Sequence, residues 1–204
     1  MKTFDSINLD VDKCKVEIGD FKTLLDSKPH LKEREELLPH FRSNTNLSAL
    51  IGTYVADIRN PDKIAYEYDL FGDFACDLVV GDSSSKTYLF VELEDAAPNS
   101  IFQKPAKFTP EWSQRLEHGY SQIIDWFWKL EDQCRTSDFK HRFGSDNISY
   151  HGLLIVGRSS TLSDREGQRL KWRQDKTIVN SNRISIITFD QLYEDLNRVL
   201  SYRQ

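Results

Sequence analysis

The stretch CDLVVGDSSSKTYLFVELED, residues 76–95, holds two β-rich runs on either side of a polar turn. A hairpin centred between Ser84 and Ser85 pairs Leu78 with Val91, Val80 with Leu89 and Cys76 with Leu93. That makes one sheet face wholly apolar, and a buried apolar face is what fixes strand register. On the opposite face Val79 meets Phe90 and Asp77 meets Glu92. A slip of one residue would set Asp77 against Val91 or Leu93 and mix the faces. In this register the Asp77 and Glu92 Cβ atoms stand about 4.5–5.5 Å apart. Glu94 follows two residues on, on the same face.

Carboxylates so close repel and raise each other's pKa unless a cation intervenes. They also follow Phe90-Val91 in a strand that reads as buried, where an acid needs a partner. Strand ends carry exposed acids routinely, so each carboxylate alone means little. The set in this register points to a divalent cation held by oxygen ligands. Mg²⁺ is the usual occupant where one or two carboxylates act with a substrate phosphate, and Mn²⁺ is an alternative. Asp77 and Glu92 are the expected ligands.

Working outward, residues 17–58 read as helical. Phe21, Leu24 and Leu25 recur at helix spacing, and Pro29 restarts the chain. Leu47, Leu50, Ile51, Tyr54, Val55 and Ile58 make a stripe that stops at Asn60-Pro61. Ile64–Phe71 is a strand preceding the hairpin. Thr109-Pro110-Glu111 reads as a helix start. Trp112, Leu116, Tyr120, Ile123, Phe127 and Leu130 form that helix's apolar face. Leu153–Val156 is a buried strand, Ser163-Asp-Arg-Glu166 a capping box, Ile184–Thr188 a strand, and Asp190 opens a closing helix. The expected fold is α/β, a mixed central β-sheet flanked by helices. It is read as one domain over 1–204, mostly helical in 1–60 and sheet-centred in 61–200.

Composition fits that reading. The 204 residues are 39% hydrophobic and 29% charged, with twelve Phe, eight Tyr and four Trp, so an aromatic-rich globular core is expected. No apolar run is long enough to span a membrane, and the acidic N-terminus does not read as an export signal. A cytoplasmic location is expected. Three widely spaced cysteines fit neither a disulfide framework nor a zinc motif. The net charge of -5 argues against a general nucleic-acid coat. It is uneven, however: Lys and Arg against Asp and Glu number 11 to 19 over residues 1–100 and 16 to 13 over 101–204. The first half suits cations and the second can meet phosphate. No P-loop, dinucleotide fingerprint, zincin or serine-hydrolase elbow is present.

Asp77, then Glu92-x-Glu94 on the next strand, then a helix, resembles the PD-(D/E)XK nuclease superfamily with its restriction-endonuclease-like core. A closer resemblance is to the Shedu anti-phage nuclease domain. It runs through Asp73-Phe-Ala-Cys-Asp77, Phe90-Val-Glu-Leu-Glu-Asp95, Lys107-Phe-Thr109 and His118-Gly-Tyr-Ser-Gln-Ile-Ile-Asp-Trp126. Gly152-Leu-Leu-Ile-Val-Gly-Arg158 and Ile187-Thr-Phe-Asp-Gln-Leu192 continue it, so it covers roughly residues 15 to 200.

The resemblance implies a metal-dependent endonuclease that hydrolyses DNA phosphodiester bonds in prokaryotic defence, with Asp77 and Glu92 as metal ligands. RNA is the other substrate, and a homo-oligomer is compatible with it. The chain departs from the superfamily at the third position, where Glu94 replaces the usual Lys. Glu94 then acts as general base or third ligand, or Lys104 or Lys107 in the following loop supplies the missing cation. The alternative is a degenerate domain that binds nucleic acid or a partner without cutting. His118, Gln122 and Asp125 share a polar stripe on the helix, and Gln122 matches a Gln that contacts substrate or metal-held water in such nucleases. His118, Lys104 and Arg158, the last at a strand end, are the expected nucleic-acid contacts. Arg165, Lys171 and Arg173 read as a solvated helix face, and Glu33, Glu35 and Glu36 offer a further ligand from the first helices, with surface salt pairing the favoured reading.

Overall fold

The computed structural model describes residues 3–103 and 109–202. A six-stranded mixed sheet runs in the order β1 (Asp5–Ser6), β2 (Lys63–Leu70), β3 (Phe74–Asp82), β4 (Thr87–Leu93), β7 (Ser149–Ile155) and β8 (Ile184–Ile187). β1 to β4 are antiparallel neighbours, whereas β4–β7 and β7–β8 are parallel. The parallel pairs need crossovers, and these are helices. α4 (Gln114–Gln133) and α5 (Ser137–Phe143) lie between β4 and β7, and α6 (Asp164–Lys176) lies between β7 and β8. A two-stranded ribbon of β5 (Phe102–Gln103) and β6 (Glu111–Trp112) precedes α4.

Both sheet faces are covered, so two cores form. Leu78, Val80, Leu89, Val91 and Leu93 pack on α1 (Val11–Ser27), α2 (Leu38–Ser43), α3 (Thr45–Leu50) and α7 (Phe189–Ser201). Val79, Phe90 and Leu154 pack on Ile123, Trp126 and Phe127 of α4, Phe139 and Phe143 of α5 and Leu170 of α6. This is the α/β architecture expected from the sequence, and it is consistent with a restriction-endonuclease-like core. The hairpin register is also as read, from Leu78↔Val91 to Asp82↔Thr87. The three cysteines are free. Among the described residues, no helix is long and apolar enough to cross a membrane.

Several elements differ from their sequence reading. α1 begins at Val11, because Asp10 accepts hydrogen bonds from the Asp12 and Lys13 amides. The stripe from Leu47 to Ile58 is not one helix. α3 ends at Leu50 and a tight turn over Ile51–Tyr54 follows. A Cβ on Gly52 would meet Val80 Cγ1 at 2.9 Å, so the chain grazes β3 there and bends. Thr109 does not start α4. The cap is Ser113, whose hydroxyl accepts from the Leu116 amide, while Trp112 belongs to β6 and stacks on Phe102 at 4.4 Å. α7 is capped by Thr188 rather than Asp190. α5 was not read from the sequence at all; seven residues show too little period. The capping box Ser163/Glu166 forms as expected.

Candidate active site

The site begins where β3 leaves β4. Their ladder stops at Leu78↔Val91, yet β3 stays paired with β2 as far as Leu70↔Phe74. Beyond Leu78 the strands part, and the Asp77 carboxylate Oδ2 accepts the Leu93 amide at 2.8 Å in place of a backbone partner. Glu67, on the neighbouring β2, has a left-handed φ of 45°, a local twist at the same level. The expected Asp77–Glu92 and Cys76–Leu93 pairs therefore lie beyond the end of the ladder and are not made as strand pairs. Cys76 joins the core on the α4 side, and Leu93 stays in the other. The parting opens a cleft of 420 Å³ that Asp77, Glu92 and Glu94 all line.

α4 forms the facing wall. Gln122 Nε2 donates to Glu92 Oε1. Arg115, two turns earlier, donates to Glu94 Oε2 at 3.0 Å and lies 3.0 Å from Asp95 Oδ2. Gly119 sits between them on the helix. A Cβ there would meet Leu154 Cδ1 at 2.7 Å and Glu94 Cγ at 3.3 Å, so the missing side chain lets α4 close on the strand end. The turn over Glu33–Leu37 supplies the third side. The Glu33 amide donates to Asp95 Oδ1 at 2.8 Å, and the Glu33 side chain lines the cleft.

Acid outweighs base in this space. Glu92 and Glu94 are only 7% and 4% exposed. Burial, reinforced by the Asp77, Glu94 and Glu33 charges, pushes the Glu92 carboxyl well up. Burial also raises Asp77, against the pull of the Leu93 amide. Glu94 is pushed up to about 7 by burial, with Arg115 opposing. Glu33 is raised by burial too. The surroundings thus favour either protons or a cation. Among the described residues, no three His, Cys, Asp or Glu side chains form a ready-made metal group. Asp77 and Glu92 nonetheless fit a divalent ion of the Mg²⁺ type, which takes few protein carboxylates and keeps positions for water and phosphate.

Of the residues singled out in the sequence, Asp77, Glu92, Glu94, Gln122 and His118 come together in this cleft. Asp125, the last of the expected stripe, is exposed and does not line it. Lys104 and Lys107 lie outside the described residues. Arg158 lies elsewhere: it grips Asp190 through Nε and Nη2 and donates Nη1 to the Leu25 carbonyl at 3.0 Å. Its fork ties the ends of β7, α7 and α1, which leaves it unsuited to phosphate. Arg173 is not solvated as expected. It is paired with Glu117 and stacked over Trp112 and Tyr120. Glu35 and Glu36 do make salt pairs, with Lys32 and Lys28. Arg115 was missed as a site residue, and Glu33, weighed as a further ligand but favoured as a surface salt pair, lines the cleft. Arg115 falls one turn before His118 on the polar stripe of α4, a signal that was legible. Nothing in the sequence singled Glu33 out from Glu35 and Glu36, because only the chain path brings it to the strand end.

Residues 20–193 match the model of the family described as Shedu protein SduA, C-terminal. A search of curated proteins gave no match.

Proposed function

The chain belongs to the SduA C-terminal family of Shedu anti-phage defence proteins, and from that premise we propose that it is a metal-dependent endonuclease cutting DNA. The observation that carries this reading is the buried, under-neutralised pair Asp77 and Glu92 at the parting of β3 and β4. Asp77 and Glu92 would hold the cation, Mg²⁺ or Mn²⁺. When bound, such an ion supplies positive charge beside the scissile phosphate and makes hydroxide available near neutral pH. Gln122 holds the Glu92 carboxylate in place from α4. Glu94, with a carboxyl at about 7, is poised to take a proton at physiological pH. His118, exposed on the same wall, faces the space a nucleic-acid backbone would enter.

Incubation of supercoiled plasmid with Mg²⁺, Mn²⁺ or EDTA tests this. Nicked or linear product with either metal and none in EDTA is expected. Intact plasmid under all conditions would defeat the proposal.

The Glu94–Arg115 pair favours a second reading, a domain that binds DNA without cutting. The Arg fills the charge role of the absent lysine yet ties up the carboxylate. DNA retention by an inactive wild type, with cleavage appearing in Glu94→Lys, would establish this second reading.

A further inference from the structure

A second hollow, of 310 Å³, shares no lining residue with the acidic cleft. It forms where the start of β2, the β3–β4 turn and the end of α5 meet. Its chemistry is the reverse of the cleft's. Glu33, Glu67, Asp73, Asp77, Glu92 and Glu94 line the cleft, whereas among the described residues no Asp or Glu lines the hollow. In a chain of net charge -5 that contrast is informative.

Lys63, Lys86 and His141 stand around its mouth. Among the described residues Lys63 Nζ reaches only the Ser6 hydroxyl, at 3.2 Å. The side chains of Lys86 and His141 have no hydrogen-bond or ion-pair partner among the described residues. Arg142 is already committed, to Asp138 and the Asp69 carbonyl. The nearest acids are committed as well. Asp62 accepts the Ser83 amide and hydroxyl, and Asp82 accepts the amides of Arg59, Asn60 and Ser84.

The wall is aromatic. Phe4 stacks on Tyr68 at 4.7 Å, and Tyr88 meets Phe143 edge-on at 5.0 Å. Tyr68, 1% exposed, lines the hollow; its hydroxyl is the single buried side-chain polar atom among the described residues with no hydrogen bond of normal geometry, although the Arg142 guanidinium lies close enough to favour its ionised form. Buried polar groups are satisfied almost without exception, and a hydroxyl whose cationic neighbour, Arg142, is already bonded to Asp138 and the Asp69 carbonyl keeps capacity for a partner in the hollow. The volume lies at the lower end for small-molecule sites.

We propose that this hollow binds a nucleoside phosphate, its ring against the aromatic wall, its phosphate between Lys63 and Lys86, and one polar atom on the Tyr68 hydroxyl. Lysines serve as point-charge phosphate binders, and every base offers a face for stacking. The site needs no metal and stands independently of the nuclease reading. The competing role for Lys86 is to cap the carboxyl end of α5, since its ammonium lies 3.1 Å from where a Gly144 Cβ would be.

Calorimetric titration of the full chain in EDTA tests the proposal, with deoxyadenosine monophosphate, deoxyadenosine and inorganic phosphate as probes. The monophosphate should bind at least about tenfold more tightly than either fragment, as loss of a charge-assisted contact predicts. Lys63→Ala with Lys86→Ala should weaken it by a similar factor. Tyr68→Phe should weaken it too while leaving Tm unchanged or raised, because the under-satisfied hydroxyl is gone. Glu92→Gln, in the other cleft, should bind as wild type. A mere capping role for Lys86 lowers Tm without altering the titration, and that result overturns the proposal. So does equal affinity for either fragment, no heat at millimolar nucleotide, or loss of binding in Glu92→Gln.

Discussion

Asp77 and Glu92 show how one backbone detail turns ordinary acids into a site. Each would be unremarkable on a paired, solvent-facing strand. Here Asp77 replaces a backbone acceptor for the Leu93 amide, and Glu92 is buried against Gln122. Because its folded pKa is raised above that of a free glutamate, about 4.5, Glu92 favours folding fully below that pH and loses this contribution as pH rises towards the folded value. In EDTA, Glu92→Gln should therefore gain Tm over wild type, and the gain should widen between pH 5 and pH 8. Thermal melts across that range check the sign; a constant difference would refute it. The same variant, and Asp77→Asn, should abolish metal-dependent plasmid cleavage with the circular dichroism spectrum intact. Gln122→Ala, which removes only the orienting amide, should lose about 10- to 100-fold. Arg115→Ala leaves the buried Glu94 without its ion partner. Arg115 is partly exposed, so the loss of stability should be about 1–2 kcal/mol at pH 8 and should shrink towards pH 4.5, where Glu94 takes up a proton and the Asp95 contact is what remains.

At the scale of elements, α4 decides the site's shape. Its buried face of Leu116, Ile123, Phe127 and Leu130 sets its roll on the sheet. That roll aims Arg115, His118 and Gln122 into the cleft. Gly119 sets how close it comes. In an exposed helix Gly→Ala gains about 1 kcal/mol from propensity. Here the added methyl would collide with Leu154 in a packed interior, and overpacking costs about 1–3 kcal/mol. The collision wins or nearly cancels the gain, and it falls beside Glu94. Gly119→Ala should thus reduce cleavage with at most a small Tm change. Chemical denaturation and plasmid assays on one preparation check this, and unaltered cleavage would mean that α4 has slack. The N-cap belongs to Ser113, not Thr109, because the buried Ser113 hydroxyl both caps the Leu116 amide and donates to the Ser100 carbonyl. A proline and an acid at the right offset gave Thr109 the look of a cap. The stacking of Trp112 on Phe102 held the preceding residues in a ribbon instead.

For the molecule as a whole, Arg158 is a polar tie between segments far apart in sequence. Its fork on Asp190 and the Leu25 carbonyl links the end of β7 to α7 and α1. Arg158→Ala should cost about 2 kcal/mol, the scale of hydrogen bonds to charged groups. Measured per folded molecule, it should leave cleavage unchanged. A loss of DNA affinity at unchanged Tm would restore its reading as a phosphate contact. Cation binding should act in the opposite sense. An ion that binds only the folded state at a hundredfold excess over its Kd stabilises by about 2.7 kcal/mol. For a chain of this size that is a Tm rise of about 5–10 °C. Coincident melts with and without Mn²⁺, at concentrations well above millimolar, would count against the cation site.

The hairpin register, the α/β class and the family were legible in the sequence. Alternation with a period of two allows one register that buries Leu78, Val80, Leu89 and Val91 together. The grouping of Asp77, Glu92, Glu94 and Gln122 followed from that register and from helical spacing, both local regularities. What local regularity could not carry was the parting of β3 from β4, the approach of Glu33, and the fates of Arg115 and Arg158. Each depends on which groups from distant segments arrive at the same point. An arginine's partners, Glu94 for one and Asp190 for the other, are selected by packing of whole elements, so the sequence supplied the charges and the tertiary structure decided which of them remain near the cleft.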